Sequence, residues 1–176
     1  AKKDDPCTPS WGSAYTLDQA SGSLSLDARI ARLRQRSGEV VVSFGGRDNQ
    51  ELSLACTDEN KLYDAYNQVI DRYTVDTIDL DIEGTDQANQ DAAARRARVM
   101  AKLQADHRKA GIPLTIWLTL PVTPQGLSPD GTNVVAAMLK EKVDIAGVNI
   151  MTMDYGQSLD GQTMLEASEH ALEETH

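Results

Sequence analysis

The chain has 176 residues, 40% of them hydrophobic and 25% charged, enough for one domain with a real core. Its 17 Lys and Arg against 27 Asp and Glu give a formal net charge of −10, which argues against a nucleic-acid backbone as partner. No apolar run approaches the roughly 18 residues of a membrane span, so no membrane partner is expected either.

Residues 1–24 are rich in Pro, Gly and Ser and read as loop. Cys7 and Cys56 form no CxxC pair and no His cluster accompanies them, which speaks against zinc. A disulfide in an exported protein is the preferred reading, with two buried thiols as the alternative. In "LDARIARLRQRS" Leu26, Ile30 and Leu33 share a helical face. "GEVVVSFGG" is a β-branched run bounded by glycines, a buried strand. "DENKLYDAYNQVIDRY" repeats apolar residues at 62, 66, 69, 70 and 73, a second helix that uses Tyr66 and Tyr73 for packing. "VDTIDLDIEG" is the next strand. "NQDAAARRARVMAKLQADHRKAG" is an Ala-rich helix stopped by Gly111 and Pro113, and its Arg95, Arg96 and Arg98 read as a solvated face. "PLTIWLTLPV", "TNVVAAMLKE", "VDIAGVNIMTMDYG" and "QTMLEASEHALEETH" continue as strand, helix, strand and helix. Such alternation implies βαβ units and a parallel α/β sheet. No GxGxxG or GxxxxGK[ST] follows a strand, so no nucleotide cofactor is expected. An open flavodoxin-like sheet and a (β/α)8 barrel both remain; four strands cannot close the latter, which needs eight.

The strand at 75–84 holds the chemistry. Side chains alternate along a strand, so Asp79, Asp81 and Glu83 share one face and Ile78, Leu80 and Ile82 the other. Asp76 is out of phase. In a barrel the apolar set faces helices, the acidic set lines the interior, and Glu83 emerges at the C-terminal end. Carboxylates in contact cannot all ionise cheaply, so at least one pKa is pushed up, as a general acid needs. Two plainer readings remain: a solvated sheet face, and a divalent-cation site, for which nothing nearby resembles a dedicated metal loop.

"DTIDLDIE" resembles the DxxDxDxE motif of glycoside hydrolase family 18, the chitinase family. "SFGG" (Ser43 to Gly46) resembles the family's SxGG signature on barrel strand three, and "MTMDYG" (Met151 to Gly156) its Met-x-Tyr-Asp signature on strand six. "LTIWLTLPV" falls where strand five belongs, and "CTPSWG" looks like the bacterial secreted members, which implies an extracellular location.

The resemblance implies a partial (β/α)8 barrel of parallel strands alternating with helices. It implies hydrolysis of β-1,4 bonds in chitin or chito-oligosaccharides by substrate-assisted, retaining catalysis without metal or cofactor. Glu83 would be the acid, Asp81 would orient the substrate's N-acetyl group, and Asp79 would accept charge from Asp81. Ser43 would support that pair, and Gly45 and Gly46 would allow a tight turn. Met151 would floor the sugar pocket and Asp154 would contact substrate. Where the family often has the acetyl-binding Tyr, this chain has Met153, and Tyr155 is the substitute on offer. Trp11 is a candidate sugar-stacking residue; Trp117, mid-strand, reads first as core. An endo-β-N-acetylglucosaminidase acting on N-glycans or a chitin-binding lectin are the alternatives, the lectin disfavoured because Glu83 is retained. Residues 1–176 then read as an incomplete catalytic domain covering barrel strands three to six. Its half-barrel edges are expected to invite pairing with another chain.

Overall fold

The computed structural model describes residues 1–159 and 161–176, without the side chains of Gln157 and Ser158. Four parallel strands make the sheet: β3 (Val42–Gly45), β4 (Thr77–Asp81), β5 (Thr115–Thr123) and β7 (Ile145–Met151), side by side in that order. A two-residue strand, β6 (Gly126–Leu127), folds back antiparallel on β5. Between the strands run α3 (Leu52–Ala55) and α4 (Glu59–Tyr73), then α5 (Thr85–Ala88) and α6 (Gln90–Lys109), then α7 (Pro129–Lys140); α8 (Met164–Thr175) follows β7. The expected alternation of strand and helix is present. Among the described residues β3 and β7 have no further strand beside them, so the sheet is open.

Caps explain where the helices start. The Asp58 carboxylate accepts from the backbone N–H of Asn60 and Lys61, and Asn89 and Ser128 do the same for α6 and α7. Thr163 and Glu166 form a reciprocal capping box on α8. The core lies between the sheet and these helices. Ile78, Leu80, Ile116, Leu118 and Leu120 are completely buried on the helix side of the strands, each contributing roughly 1.5–3 kcal/mol. Leu62, Tyr66, Val69, Ile70 and Tyr73 of α4 meet them, as do Val99, Met100 and Leu103 of α6.

The N-terminal segment departs from the loop expected of it. Ser10–Trp11 (β1) and Tyr15–Thr16 (β2) pair antiparallel, and Leu17–Ser23 forms α1, which buries Leu17 and Ala20. Its start is a Thr16–Gln19 capping box, a four-residue signature present in the sequence. Helix α2 (Leu26–Arg34) is the amphipathic segment expected, but it buries no residue fully. Arg72 of α4 ties both helices down through Asp18 (2.9 Å) and Asp27 (2.8 Å). Cys7 and Cys56 are joined in a disulfide.

The arginine run is a second departure. Arg98 is exposed and paired with Glu59, but Arg96 is fully buried. Arg96 lies on the stripe of Ala93, Ala97 and Met100 that faces the core, and its charge is met there by Glu51 at 3.1 Å.

Candidate active site

Parallel register stacks the inner face of the sheet in layers. Ser43, Asp79, Trp117 and Gly147 stand opposite one another in the first. Gly45, Asp81, Thr119 and Asn149 form the next, towards the C-terminal ends of the strands. Met151, opposite Pro121, belongs one layer further out, and β4 ends at Asp81, so Glu83 lies two residues past the end of the strand rather than within it as expected. The alternation seen in the sequence therefore separates oily from acidic as expected, and it carries Ser43, Gly45, Asp79, Asp81 and Met151 onto one face.

Asp79 is the best-supported of the three acids. The hydroxyl of Ser43 donates to its Oδ2 at 2.6 Å and that of Thr119 to its Oδ1 at 2.7 Å. Asn149 Nδ2 in turn donates to Thr119 Oγ1 at 3.3 Å. Thr119 and Asn149 were not singled out from the sequence. Their strand parity was the available signal, since both fall in phase with the acidic row.

Asp81 is treated very differently. Its Oδ1 is buried without a hydrogen-bond partner. Burial, then the charges of Glu83 and Asp79, push its pKa up to about 6. The expected rise in one carboxyl thus falls on Asp81, the middle acid. Beyond it, Ile82 N–H still donates to the Thr119 carbonyl at 3.0 Å, which keeps the backbone in the sheet to the threshold of Glu83. The Glu83 carboxylate is half-buried and has no hydrogen-bond partner among the described residues, so it is free to meet a substrate oxygen.

The two glycines of "SFGG" have a steric cause. Gly45 has φ +113°, and a Cβ there would stand 2.0 Å from the Asp81 carbonyl oxygen. Gly46 has φ +88°, and its N–H donates to that same carbonyl at 3.0 Å. Only glycine allows this turn to lie so close to the acidic strand.

The remaining candidates spread out. Asp154 is exposed and sits at φ +53°, turning the chain away from the line of β7. Tyr155 is consequently carried into a small second core with Val122, Ala167 and Ala171, packed on Ile150. Val122 and Ile150 point to the helix side, so the Tyr155 ring lies apart from Asp81. Trp11 is packed edge-on to Tyr73 at 5.7 Å, and its indole N–H donates to the Tyr73 hydroxyl at 2.8 Å. It lines a cavity of about 150 Å³ at the β3 edge with Ser43, Gly45 and Asn49. Asn49 accepts a hydrogen bond from Ser13 at 3.0 Å, fastening the N-terminal hairpin to the loop after β3. Trp117 covers Gly147, where a Cβ would come within 2.4 Å of the ring, but it is 39% exposed on the inner face, one layer below Asp81, and so is not the core residue expected of a mid-strand Trp. No group of three or more His, Cys, Asp or Glu disposed to hold a metal occurs among the described residues.

Comparison with known proteins decides the family. The family model described as Glycosyl hydrolases family 18 matches residues 14–173. The chain belongs to that family. A probable bifunctional chitinase/lysozyme of Escherichia coli (strain K12) is 36% identical over 159 residues, which is 90% of this chain and 17% of that protein. Endochitinase 11 of Metarhizium anisopliae is 38% identical over 132 residues, 75% of this chain and 25% of that one. Two solved structures of catalytic-site mutants of active domain 2 of a Pyrococcus furiosus chitinase superpose with TM-scores of 0.76 and 0.73 at 26% identity. They cover 95% of this chain and 50% and 51% of those chains, and the second is complexed with chito-oligosaccharides. The chain thus spans about half the length of those structures and a quarter or less of the two relatives. Its open sheet is that of a partial (β/α)8 barrel.

Proposed function

We propose that this family 18 domain takes part in hydrolysing β-1,4 bonds between N-acetylglucosamine units, in chitin or chito-oligosaccharides. The observation that carries the reading is the graded carboxylate row: Asp79 bonded to two hydroxyls, Asp81 holding a buried oxygen without a partner, and Glu83, just past the end of the strand, without a hydrogen bond among the described residues. Each condition suits one step. Glu83, as the acid, gives its proton to the glycosidic oxygen. The carbonyl oxygen of the substrate's own acetamido group attacks the anomeric carbon as the bond to the leaving sugar breaks. Asp81 accepts the acetamido N–H and steadies the positive charge of the resulting oxazolinium ion. Water then attacks the anomeric carbon, its proton passes to the Glu83 carboxylate, and the starting configuration is retained.

In this reading Met151 borders the sugar at the level of Glu83, and Asp154 reaches it from the loop after β7. Tyr155 does not supply the acetyl-binding hydroxyl in this reading, because its ring packs in the α8 core. Trp11 acts as a brace for Tyr73 rather than as a stacking platform. The reading also places the protein outside the cell, supported by the disulfide between Cys7 and Cys56. The free edges of β3 and β7 would take further strands, from another segment or another chain.

The test is release of a chromophore from a chito-oligosaccharide glycoside, comparing the protein with its Glu83→Gln variant. Glu83→Gln should abolish release while leaving the melting temperature in place. Equal rates in the two proteins would remove Glu83 from the mechanism.

A further inference from the structure

Among the described residues no hydrogen bond steers the side chain of Glu83, so its aim depends on the backbone that carries it. That backbone is held from the loop between β3 and α3 at two points. At the near end, Gly46 N–H donates to the Asp81 carbonyl at 3.0 Å. At the far end, Glu51 N–H donates to Asp86 Oδ2 at 2.9 Å, and Asp86 N–H in turn donates to the Glu83 carbonyl at 3.1 Å. Residues 82–85 form the span between the two fastenings. Asp86 is nearly buried, at 6% exposure, and burial pushes its carboxyl pKa up. An acid kept there at such cost has a task.

The far fastening has a rigid base. Glu51 and Arg96 are both completely buried, in an ion pair at 3.1 Å. The Glu51 carboxylate also accepts from Ser53 N–H at 2.9 Å, and from the hydroxyls of Ser53 and Tyr66. Arg95 grips the Ser53 carbonyl at 2.7 Å and 3.1 Å. Burial alone would raise the Glu51 carboxyl, but the Arg96 charge and these hydrogen bonds outweigh it and hold it below its usual range. The pair therefore joins α6, α4 and the β3–α3 loop into one block.

We propose that Asp86 is a positioning residue: through the Glu51 N–H it fastens the turn after β4 to the buried Glu51–Arg96 block and so sets the direction of Glu83. The proposal rests on the glycosidase reading of Glu83, and its test separates the two. In Asp86→Ala, backbone amide exchange at Asp86 and Gln87 rises about tenfold, while exchange in β5 is unchanged. Asp86→Asn, which keeps an acceptor oxygen, stays close to the parent. Asp86→Leu keeps the branched shape with bulkier arms and no acceptor, and takes the place of the alanine variant if that one does not fold. In the active protein kcat falls roughly 10- to 100-fold in the acceptor-less variants, with KM within about twofold, and Asp86→Asn restores most of it. Unchanged exchange at residues 86 and 87, or a loosened turn with full kcat, overturns the proposal. Equal activity of the protein and its Glu83→Gln variant would instead fault the glycosidase reading, with the exchange data still deciding the fastening.

Discussion

Asp79 and Asp81 are two residues apart on one strand and face the same way, yet they differ in hydrogen bonding. Two hydroxyls donate to Asp79, while one oxygen of Asp81 is buried with none. The consequence for stability follows from proton linkage. An unfolded Asp titrates near 3.9. With a folded pKa of about 6, the native chain above that pH carries the cost of an ionised Asp81. As pH falls from about 6 to about 4 the folded state takes up a proton that the unfolded state does not, and the cost disappears. Asparagine has no such cost. Asp81→Asn should therefore raise the melting temperature at pH 8, gain roughly 1–2 kcal/mol after allowance for partial solvation, and gain nothing below about pH 4. A gain independent of pH would mean that ionisation is not its cause. The sequence made the acidic face legible because strand parity is strict. That Asp81 would rise was not legible, since it depends first on how deeply the fold buries that carboxyl. Tyr155 escaped for a related reason: parity cannot be carried past Met151 once Asp154 adopts a positive φ.

At the scale of elements, α6 teaches the same lesson. Its arginines look alike in "AAARRARVM", but position 96 falls three after Ala93 and four before Met100, on the buried stripe. The periodicity is present in the sequence, but arginine is almost never fully buried unless paired, and its partner Glu51 lies 45 residues away. A buried ion pair adds little over an apolar pair, but half of one is costly. Arg96→Met should destabilise the protein by about 3–5 kcal/mol in denaturant unfolding, because Glu51 is then stranded. Adding Glu51→Gln keeps an acceptor for Tyr66 and Ser53 and should recover part of that loss. A double variant as unstable as the sum of the two singles would argue against the pair as the cause. The short helices α3 and α5 were not expected at all. Each is four residues long, too short for a periodic signal, and α3 begins at the Glu51 cap while α5 follows the turn of Glu83.

Across the whole molecule, the bond between Cys7 and Cys56 closes a loop with a sequence separation of 49 that contains α1, α2 and all of β3. Constraining a loop of that length in the unfolded chain contributes about 3–4 kcal/mol. Reduction, or a Cys7→Ser and Cys56→Ser double change, should lower the melting temperature, with the N-terminal hairpin and α2 the first to gain hydrogen exchange. No change on reduction would show that Arg72 and the Trp11–Tyr73 contact suffice. The parallel sheet and its helices could be read from alternating periods, whereas this tethered N-terminal layer could not, because its strands are two residues long. The open edges of β3 and β7 bear on how the protein behaves as a solute. Among the described residues neither edge is hydrogen-bonded to a further strand, and such edges can pair with another chain. The formal charge of −10 on every copy is expected to oppose such pairing in dilute buffer. Raising salt from roughly 0.1 M to 1 M shortens the screening length from about 10 Å to about 3 Å, so light scattering should grow with salt. Scattering that stays flat would mean the edges are already shielded. On this view the acidic surface is a colloidal stabiliser for an unclosed sheet.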